Sequence, residues 1–327
     1  MHGRKKNSKI PSVEEIEALN HKTESYNKLS NVLIDLKKSL KHDINSLNLI
    51  DRLIVLNPDF YSLWNFRREI ILNIYPTINE DIASKELFIS SEGIKKNPKS
   101  YCAWHHRLWV ASVYSINFKE EIGLCDLFLN LDQRNFHCWN YRRAIVKLGN
   151  LSIDDELNFS IKKIEENFSN YSALHHRSVY LKDSVEDVFD LLDTELEIIH
   201  NAIFTEPDDQ SPWWYYQFLM NKASEGSQTD ELKKRKYENL LLSELRCIRS
   251  LYEIESSSKW VLVTLSYLLE SVIKYYHSSG FLIKDETGDI SIDDIKKEYI
   301  LILLTPCDMD KYHKNRYIYL IEKNSNL

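Results

Sequence analysis

Apolar positions in the first part of the chain recur every three or four residues. Ile16, Leu19, Tyr26, Leu29, Leu33 and Leu36 form one stripe, the spacing of a helix with a single apolar face. Ser12 followed by Glu15 is a capping-box pattern that predicts where this helix starts, and the stripe predicts that it runs to about residue 41. A second helix is predicted over 43–56, stopped by Pro58. Beyond it one pattern recurs. A first helix ends at an Asn or Asp, a short polar turn follows, often with Pro, and a second helix opens on an aromatic and carries a Trp.

The recurrence is visible as strings. Asn57-Pro58-Asp59-Phe60-Tyr61-Ser62-Leu63-Trp64 is answered by Asn97-Pro98-Lys99-Ser100-Tyr101-Cys102-Ala103-Trp104. Asp132-Gln133-Arg134-Asn135-Phe136-His137-Cys138-Trp139 follows, and Asn167-Phe168-Ser169-Asn170-Tyr171-Ser172-Ala173-Leu174 puts Leu in the Trp slot. A fifth copy reaches Trp213, and a worn sixth lies near residue 260. The anchors Trp64, Trp104, Trp139, Leu174 and Trp213 are 40, 35, 35 and 39 residues apart. Such a period belongs to stacked helical hairpins. The expectation is a single all-α repeat domain over 1–327, a right-handed alpha-alpha superhelix of the tetratricopeptide-like kind, with residues 1–12 a mobile tail. After the fifth copy, 221–230 reads as a loop. Helices are predicted over 231–251 and 258–278, a surface loop over 279–292, and a last helix pair over 293–304 and 309–323.

Position along the second helix predicts packing. Residues at −3, 0, +4 and +7 from an anchor share a face, so Tyr61, Tyr101, Phe136 and Tyr171 are expected in a buried seam with the anchors and with Ile71, Ala111, Val146 and Leu181. Position +3 is Arg67, Arg107, Arg142 and Arg177. A buried Arg must be paired, so these four are expected to reach a carbonyl or carboxylate of a neighbouring helix as structural groups. The fifth copy has Tyr216 there.

Composition narrows the picture. Seven Gly and seven Pro in 327 residues leave few turns, and 43% hydrophobic residues supply a core. A net charge of −7 argues against sequence-independent nucleic-acid binding. Five cysteines without a CxxC pair, and no secretory signal, predict reduced thiols and a cytoplasmic setting. No apolar run reaches the length of a membrane span. The adjacent His105-His106 and His175-His176 point about 100° apart on a helix, so no metal site is predicted in this chain.

One difference between copies suggests chemistry. Lys99 and Arg134 stand five residues before their anchors, where the first and fourth copies have Asp59 and Ser169. Stacking alone does not require that difference, and a helix N-terminus favours an anion. His137 takes a slot held elsewhere by Ser62, Cys102 and Ser172, so packing does not require it either.

The Pro-x-x-Tyr-x-x-Trp-x-x-Arg-Arg unit resembles the repeat of protein prenyltransferase alpha subunits. The strings at 97–101, 134–139 and 167–172, with Met1-His2-Gly3-Arg4, Asp209-Gln210-Ser211-Pro212-Trp213 and Lys259-Trp260, are most similar to the type II, or Rab geranylgeranyltransferase, branch. The resemblance implies a crescent of hairpins wrapped around a beta subunit that holds the catalytic zinc. It implies transfer of geranylgeranyl from geranylgeranyl diphosphate to C-terminal cysteines of Rab GTPases presented by an escort protein. It also implies that Lys99, Tyr101 and His137 are catalytic, and that Lys99, Arg134 and His137 meet the diphosphate. His2, on the tail, is a candidate ligand to the partner's zinc. Two other readings stay open: the alpha subunit shared by farnesyltransferase and type I geranylgeranyltransferase, acting on CaaX proteins, and a non-catalytic helical scaffold.

Overall fold

The turn that precedes each anchor helix is built from its own side chains. Asn57, Asn97, Asp132 and Asn167 each accept a hydrogen bond from the backbone N–H two residues on, at 3.0–3.2 Å, which is an Asx turn. Four residues before an anchor stands the helix cap: the Ser100 hydroxyl accepts from Ala103 N–H at 3.3 Å, and the Asn135 carbonyl from His137 and Cys138 N–H. The computed structural model describes residues 12–75, 80–184, 188–228, 230–279, 284–285, 288–289, 291–309 and 313–324. Its elements are almost entirely helical. The sequence-predicted tail at 1–12 lies, but for Ser12, outside these residues.

The chain divides into two compact units, 1–152 and 153–327. The first contains α1 (Val13–Lys38), α2 (Ile44–Leu56), α3 (Tyr61–Ile74), α4 (Glu80–Lys96), α5 (Tyr101–Val113), α6 (Phe118–Leu131) and α7 (Phe136–Gly149). Consecutive helices pair as hairpins, α2 with α3, α4 with α5 and α6 with α7, while α2 also packs on α4 and α5 on both α3 and α7. The capping box at Ser12 and Glu15 is present. The first half of α1 is nevertheless exposed, Ile16 and Leu19 included, and only Ser30 and Leu33 of this helix are buried.

The second unit contains α8 (Ile153–Glu166), α9 (Tyr171–Ser184), a 3-10 turn (Val188–Asp190), α10 (Leu192–Thr205), α11 (Gln210–Ser227), α12 (Glu231–Ile254), α13 (Lys259–Ser279), α14 (Ile292–Met309) and α15 (Lys314–Asn324). Hairpin pairing continues from α8 and α9 to α14 and α15. Between α13 and α14, Lys284–Asp285 and Gly288–Asp289 form a two-residue antiparallel ladder. The loop expected over 221–230 is largely helix, since α11 runs to Ser227 and buries Ala223 and Ser227. Polar residues there face outward along a helix that packs on its other side.

The anchors are core. Trp64, Trp104, Trp139, Leu174 and Trp213 are all buried. Each indole N–H donates to the carbonyl six residues earlier: Trp64 to Pro58 at 2.8 Å, Trp104 to Pro98 at 2.9 Å, Trp139 to Gln133 at 2.9 Å and Trp213 to Pro207 at 2.8 Å. The same carbonyl accepts a second bond from the next repeat's cap. Ser100 donates to Pro58 at 3.1 Å, Asn135 to Pro98 at 2.9 Å and Ser258 to Pro207 at 3.1 Å. One oxygen thus ties a turn to its own helix and to the following hairpin. Ser258 also sets the register of the worn sixth copy: the buried Leu262, not Trp260, stands four residues after the cap, in the anchor slot. Close approach at one anchor depends on Gly93, where a Cβ would meet the Trp64 ring at 3.2 Å.

The repeated Arg residues are buried and paired. Arg67 forms two bonds to Glu86 on α4, at 2.6 and 2.7 Å, and one to Asp51 on α2. Arg107 clasps Glu121 through two bonds of 2.7 Å and also reaches the Leu87 carbonyl. Arg142 pairs with Asp126 at 2.6 Å, and Arg177 clasps Glu195 and reaches the Leu157 carbonyl. Each of these glutamates takes a further bond from the hairpin it begins: His106 to Glu86 at 2.9 Å, Tyr141 to Glu121 at 2.6 Å, Tyr215 to Glu195 at 2.7 Å. His176 meets Glu156 in the same way at 2.8 Å. A buried carboxylate satisfied from two sides offsets the desolvation that would otherwise expel it.

Candidate functional site

The buried seam expected at −3 is not there. Ile71, Ala111 and Val146 at +7 are buried, but Tyr61 is 65% and Tyr101 70% exposed, and Phe136 and Tyr171 are exposed too. A residue in the first turn overhangs the end of its helix, so sharing a face with the anchor does not bring it under a neighbour. The result is an aromatic side chain presented at the mouth of each of these helices.

At the mouths of α5 and α7, which pack together within the first unit, these aromatics meet the sequence-predicted site residues. The Tyr101 ring stands edge-on to the His137 ring, centroids 4.2 Å apart, and 5.8 Å from Phe136. His137 is only 6% exposed, and its Nε2 has no hydrogen-bond partner. Lys99 Nζ lies 3.3 Å from the Asp132 carboxylate, both side chains partly exposed. Asp132 in turn accepts from the Arg134 N–H at 3.1 Å, and the Arg134 side chain is exposed. Asp59 lies on the same side and accepts from Asn97 at 2.7 Å. Lys99, Tyr101, Arg134 and His137 therefore gather at the mouths of two adjacent helices.

The electrostatics follow from the packing. Burial pushes the His137 imidazole below its usual value and the Lys99 ammonium pushes the same way, against a hydrogen bond that the ring donates to the Lys99 backbone carbonyl and the charge of Asp59. At neutral pH the ring is uncharged. The Lys99–Asp132 pair is exposed, and such pairs contribute about 0–1 kcal/mol, so a stronger anion can displace the carboxylate. The first-turn N–H groups are less open than the sequence suggests, because Ser100 and Asn135 cap Ala103, His137 and Cys138. An anion here is met chiefly by side chains: an ammonium, a guanidinium, a phenol and an imidazole that can take up a proton.

Among the described residues no group of three His, Cys, Asp or Glu side chains has metal-holding geometry. His105 is exposed while His106 is buried against Glu86. The sequence-predicted ligand His2 lies outside the described residues. What sequence reasoning missed is the buried glutamate of the five hairpins from α4–α5 to α12–α13, Glu86, Glu121, Glu156, Glu195 and Glu244. A signal was there: each stands 18 residues before its anchor slot.

These repeats have known counterparts. The protein prenyltransferase alpha subunit repeat matches residues 44–74, 83–113, 118–148, 153–183 and 192–223. A Dictyostelium discoideum protein named geranylgeranyl transferase type-2 subunit alpha is 33% identical over 306 residues, which cover 90% of this chain and 90% of that protein. The chain belongs to the protein prenyltransferase alpha subunit family. The Rattus norvegicus protein of the same name is 35% identical over 239 residues, 68% of this chain but 42% of its own length, so the chain matches under half of that relative. Among solved structures, Candida albicans protein geranylgeranyltransferase-I complexed with GGPP shares the fold, with a TM-score of 0.69 and 21% identity over 92% of this chain and 91% of that one. The alpha-alpha hairpin architecture is thus common to this alpha subunit and its relatives. No described helix is long and apolar enough to cross a membrane.

Proposed function

We propose that this chain is the alpha subunit of a heterodimeric Rab geranylgeranyltransferase. The likeness to the type-2 alpha subunit of Dictyostelium along nearly the whole of both chains carries the reading. The beta subunit holds the zinc that activates the acceptor cysteine as thiolate, an escort protein presents the Rab GTPase, and the reaction runs in the cytoplasm. The thiolate forms a C–S bond to the allylic carbon while the C–O bond to diphosphate breaks, the electron pair leaving on the diphosphate.

The alpha subunit's part is to hold that leaving charge. Lys99 exchanges Asp132 for a diphosphate oxygen, Arg134 adds a second cation, and the Tyr101 hydroxyl donates a hydrogen bond. His137 Nε2, unpartnered beforehand, takes a proton and becomes a charged donor. Tyr101, largely exposed, also braces the His137 ring. The metal is the partner's, and no residue of this chain is assigned to it.

Co-expression with candidate beta subunits, followed by transfer of labelled geranylgeranyl to a Rab with and without escort protein, tests the reading. Escort-dependent transfer is expected. Stable pairing with transfer only to CaaX peptides, independent of escort protein, would move the chain to the farnesyl and type I class. Absence of any pairing would leave a scaffold.

A further inference from the structure

The buried-glutamate ladder ends in a cavity. The last hairpin keeps the register of the repeats. Tyr317 N–H donates to the His313 carbonyl four residues before it, as Trp104 does to Ser100 and Leu262 to Ser258. Tyr317 thus stands in the anchor slot, and Tyr299, eighteen residues earlier, in the glutamate slot. Glu86, Glu121 and Glu195 each receive the Arg of the preceding repeat, but here the preceding repeat offers Leu265 in that slot. Neither charge of the clasp remains. Tyr299 is only 1% exposed, and its hydroxyl has no hydrogen-bond partner.

Tyr299 lines a cavity of about 420 Å³ between α11, α13, α14 and α15, all within the second unit. Trp214, Trp260 and Tyr317 supply aromatic walls. Lys259, the first residue of α13, and Arg316, in the first turn of α15, line it as cations. Lys259 Nζ lies over the Trp260 ring, 5.1 Å from its centroid, and Arg316 is exposed. The acid of the lining, Glu270, stands about 16 Å along α13 from Lys259 and is paired with Lys274 at 2.7 Å. Burial and the Glu270 charge both hold the Tyr299 phenol above its usual value, so the hydroxyl stays a donor. Aromatic walls around a few placed polar groups are the composition of a small-ligand site.

We propose that this cavity binds a planar aromatic anion of about mononucleotide size. The ring of the ligand lies against Trp214 and Trp260, where stacking on an aromatic contributes roughly five- to a hundredfold in affinity. Its anionic group meets Lys259 and Arg316, and an acceptor atom of the ring takes the hydrogen bond of the Tyr299 hydroxyl. Two cations against one acid that is already paired favour an anion over a cationic ligand. A buried donor left without an acceptor costs stability, and a ligand acceptor removes that cost.

The test is titration of the full chain with AMP and with 1-naphthyl phosphate, read by calorimetry and tryptophan fluorescence, with adenosine and inorganic phosphate as controls. Both aromatic phosphates are expected to bind with dissociation constants on the order of 10–100 µM. Adenosine and inorganic phosphate should each bind at least about tenfold more weakly than AMP. Arg316→Gln, at an exposed position, should weaken both aromatic phosphates by roughly ten- to a hundredfold. Tyr299→Phe removes only an unpartnered hydroxyl, so the fold survives it. That variant should weaken AMP, which has ring acceptors, by about three- to tenfold and leave 1-naphthyl phosphate unchanged. Dissociation constants above about 1 mM for both aromatic phosphates, or inorganic phosphate binding as tightly as AMP, would overturn the proposal. So would AMP binding that neither variant changes.

Discussion

Lys99→Ala removes an ammonium whose only described ion pair is a partly exposed one, so folding and pairing with a beta subunit should survive it. Losing a charged hydrogen bond to the leaving group costs about 1.5–3 kcal/mol, or roughly ten- to a hundredfold in transfer rate. Single-turnover transfer by the assembled heterodimer measures this, and loss of the heterodimer itself would mark Lys99 as structural. His137 carries a pH signature. Its ring is uncharged before an anion arrives because burial and Lys99 depress it, and an anion beside Nε2 favours the protonated ring. Diphosphate should therefore bind the heterodimer more tightly as pH falls from about 7.5 toward 5.5, by at most about tenfold per pH unit, and His137→Gln should flatten the trend. Titration calorimetry in two buffers of different ionisation enthalpy would count the proton; no uptake would remove His137 from this role. In sequence, Lys99, Arg134 and His137 stood out because their counterparts in other repeats differ. Tyr101 was harder. Its counterparts are all aromatic, which looks like packing, and only the structure shows that the first turn leaves these rings largely exposed.

At the scale of the hairpin, the anchor and the buried ion pair can be separated by substitution. Trp104→Phe deletes the N–H that bonds Pro98 but leaves that carbonyl its bond from Asn135, so the cost should be about 1 kcal/mol. Trp104→Ala empties the core and should cost about 3–5 kcal/mol. Arg107→Met strands Glu121 in the interior and should cost about 3–5 kcal/mol; chemical denaturation of the three variants ranks them. Acid sensitivity belongs to the same elements. Burial depresses His106 to about 4 despite Glu86 beside it. The unfolded chain thus binds this proton first, and the stability that His106 contributes, full above about 6.5, drains as pH falls through about 4. His106→Gln should make the loss over that window shallower by up to about 1.4 kcal/mol per pH unit, read from urea midpoints at stepped pH; an unchanged slope would rule out this assignment. That each repeat Arg needs a carbonyl or carboxylate partner was legible in sequence. Which carboxylate was not, because hydrophobic periodicity counts every Glu as solvent-facing, and only the fixed spacing to the anchor distinguishes a buried one.

Within each of the two units, hairpins pack mainly on adjacent hairpins, the condition under which stability becomes a sum of local terms. Unfolding of the isolated chain in urea should therefore take more than one step, with tryptophan fluorescence and circular dichroism failing to coincide; a single shared transition would contradict this. The hairpin order was legible from the period. The extension of α11 and the register of the sixth copy were not, since Gly226 resembles a helix stop but lies within α11, and Leu262 rather than the nearby Trp260 fills the anchor slot. The twice-bonded carbonyls of Pro58, Pro98 and Pro207 bear on how such a chain can change over generations. Eighteen residues separate Glu86 from Trp104, Glu121 from Trp139, Glu156 from Leu174, Glu195 from Trp213 and Glu244 from Leu262, while the steps from one anchor to the next glutamate are 22, 17, 17, 21 and 31. A residue inserted between Pro98 and Trp104 would swing the indole about 100° off its acceptor, whereas one inserted between hairpins disturbs no such bond. A new segment spliced into this protein should therefore be tolerated between hairpins, where the spacing already varies from copy to copy, and not between a glutamate and its anchor.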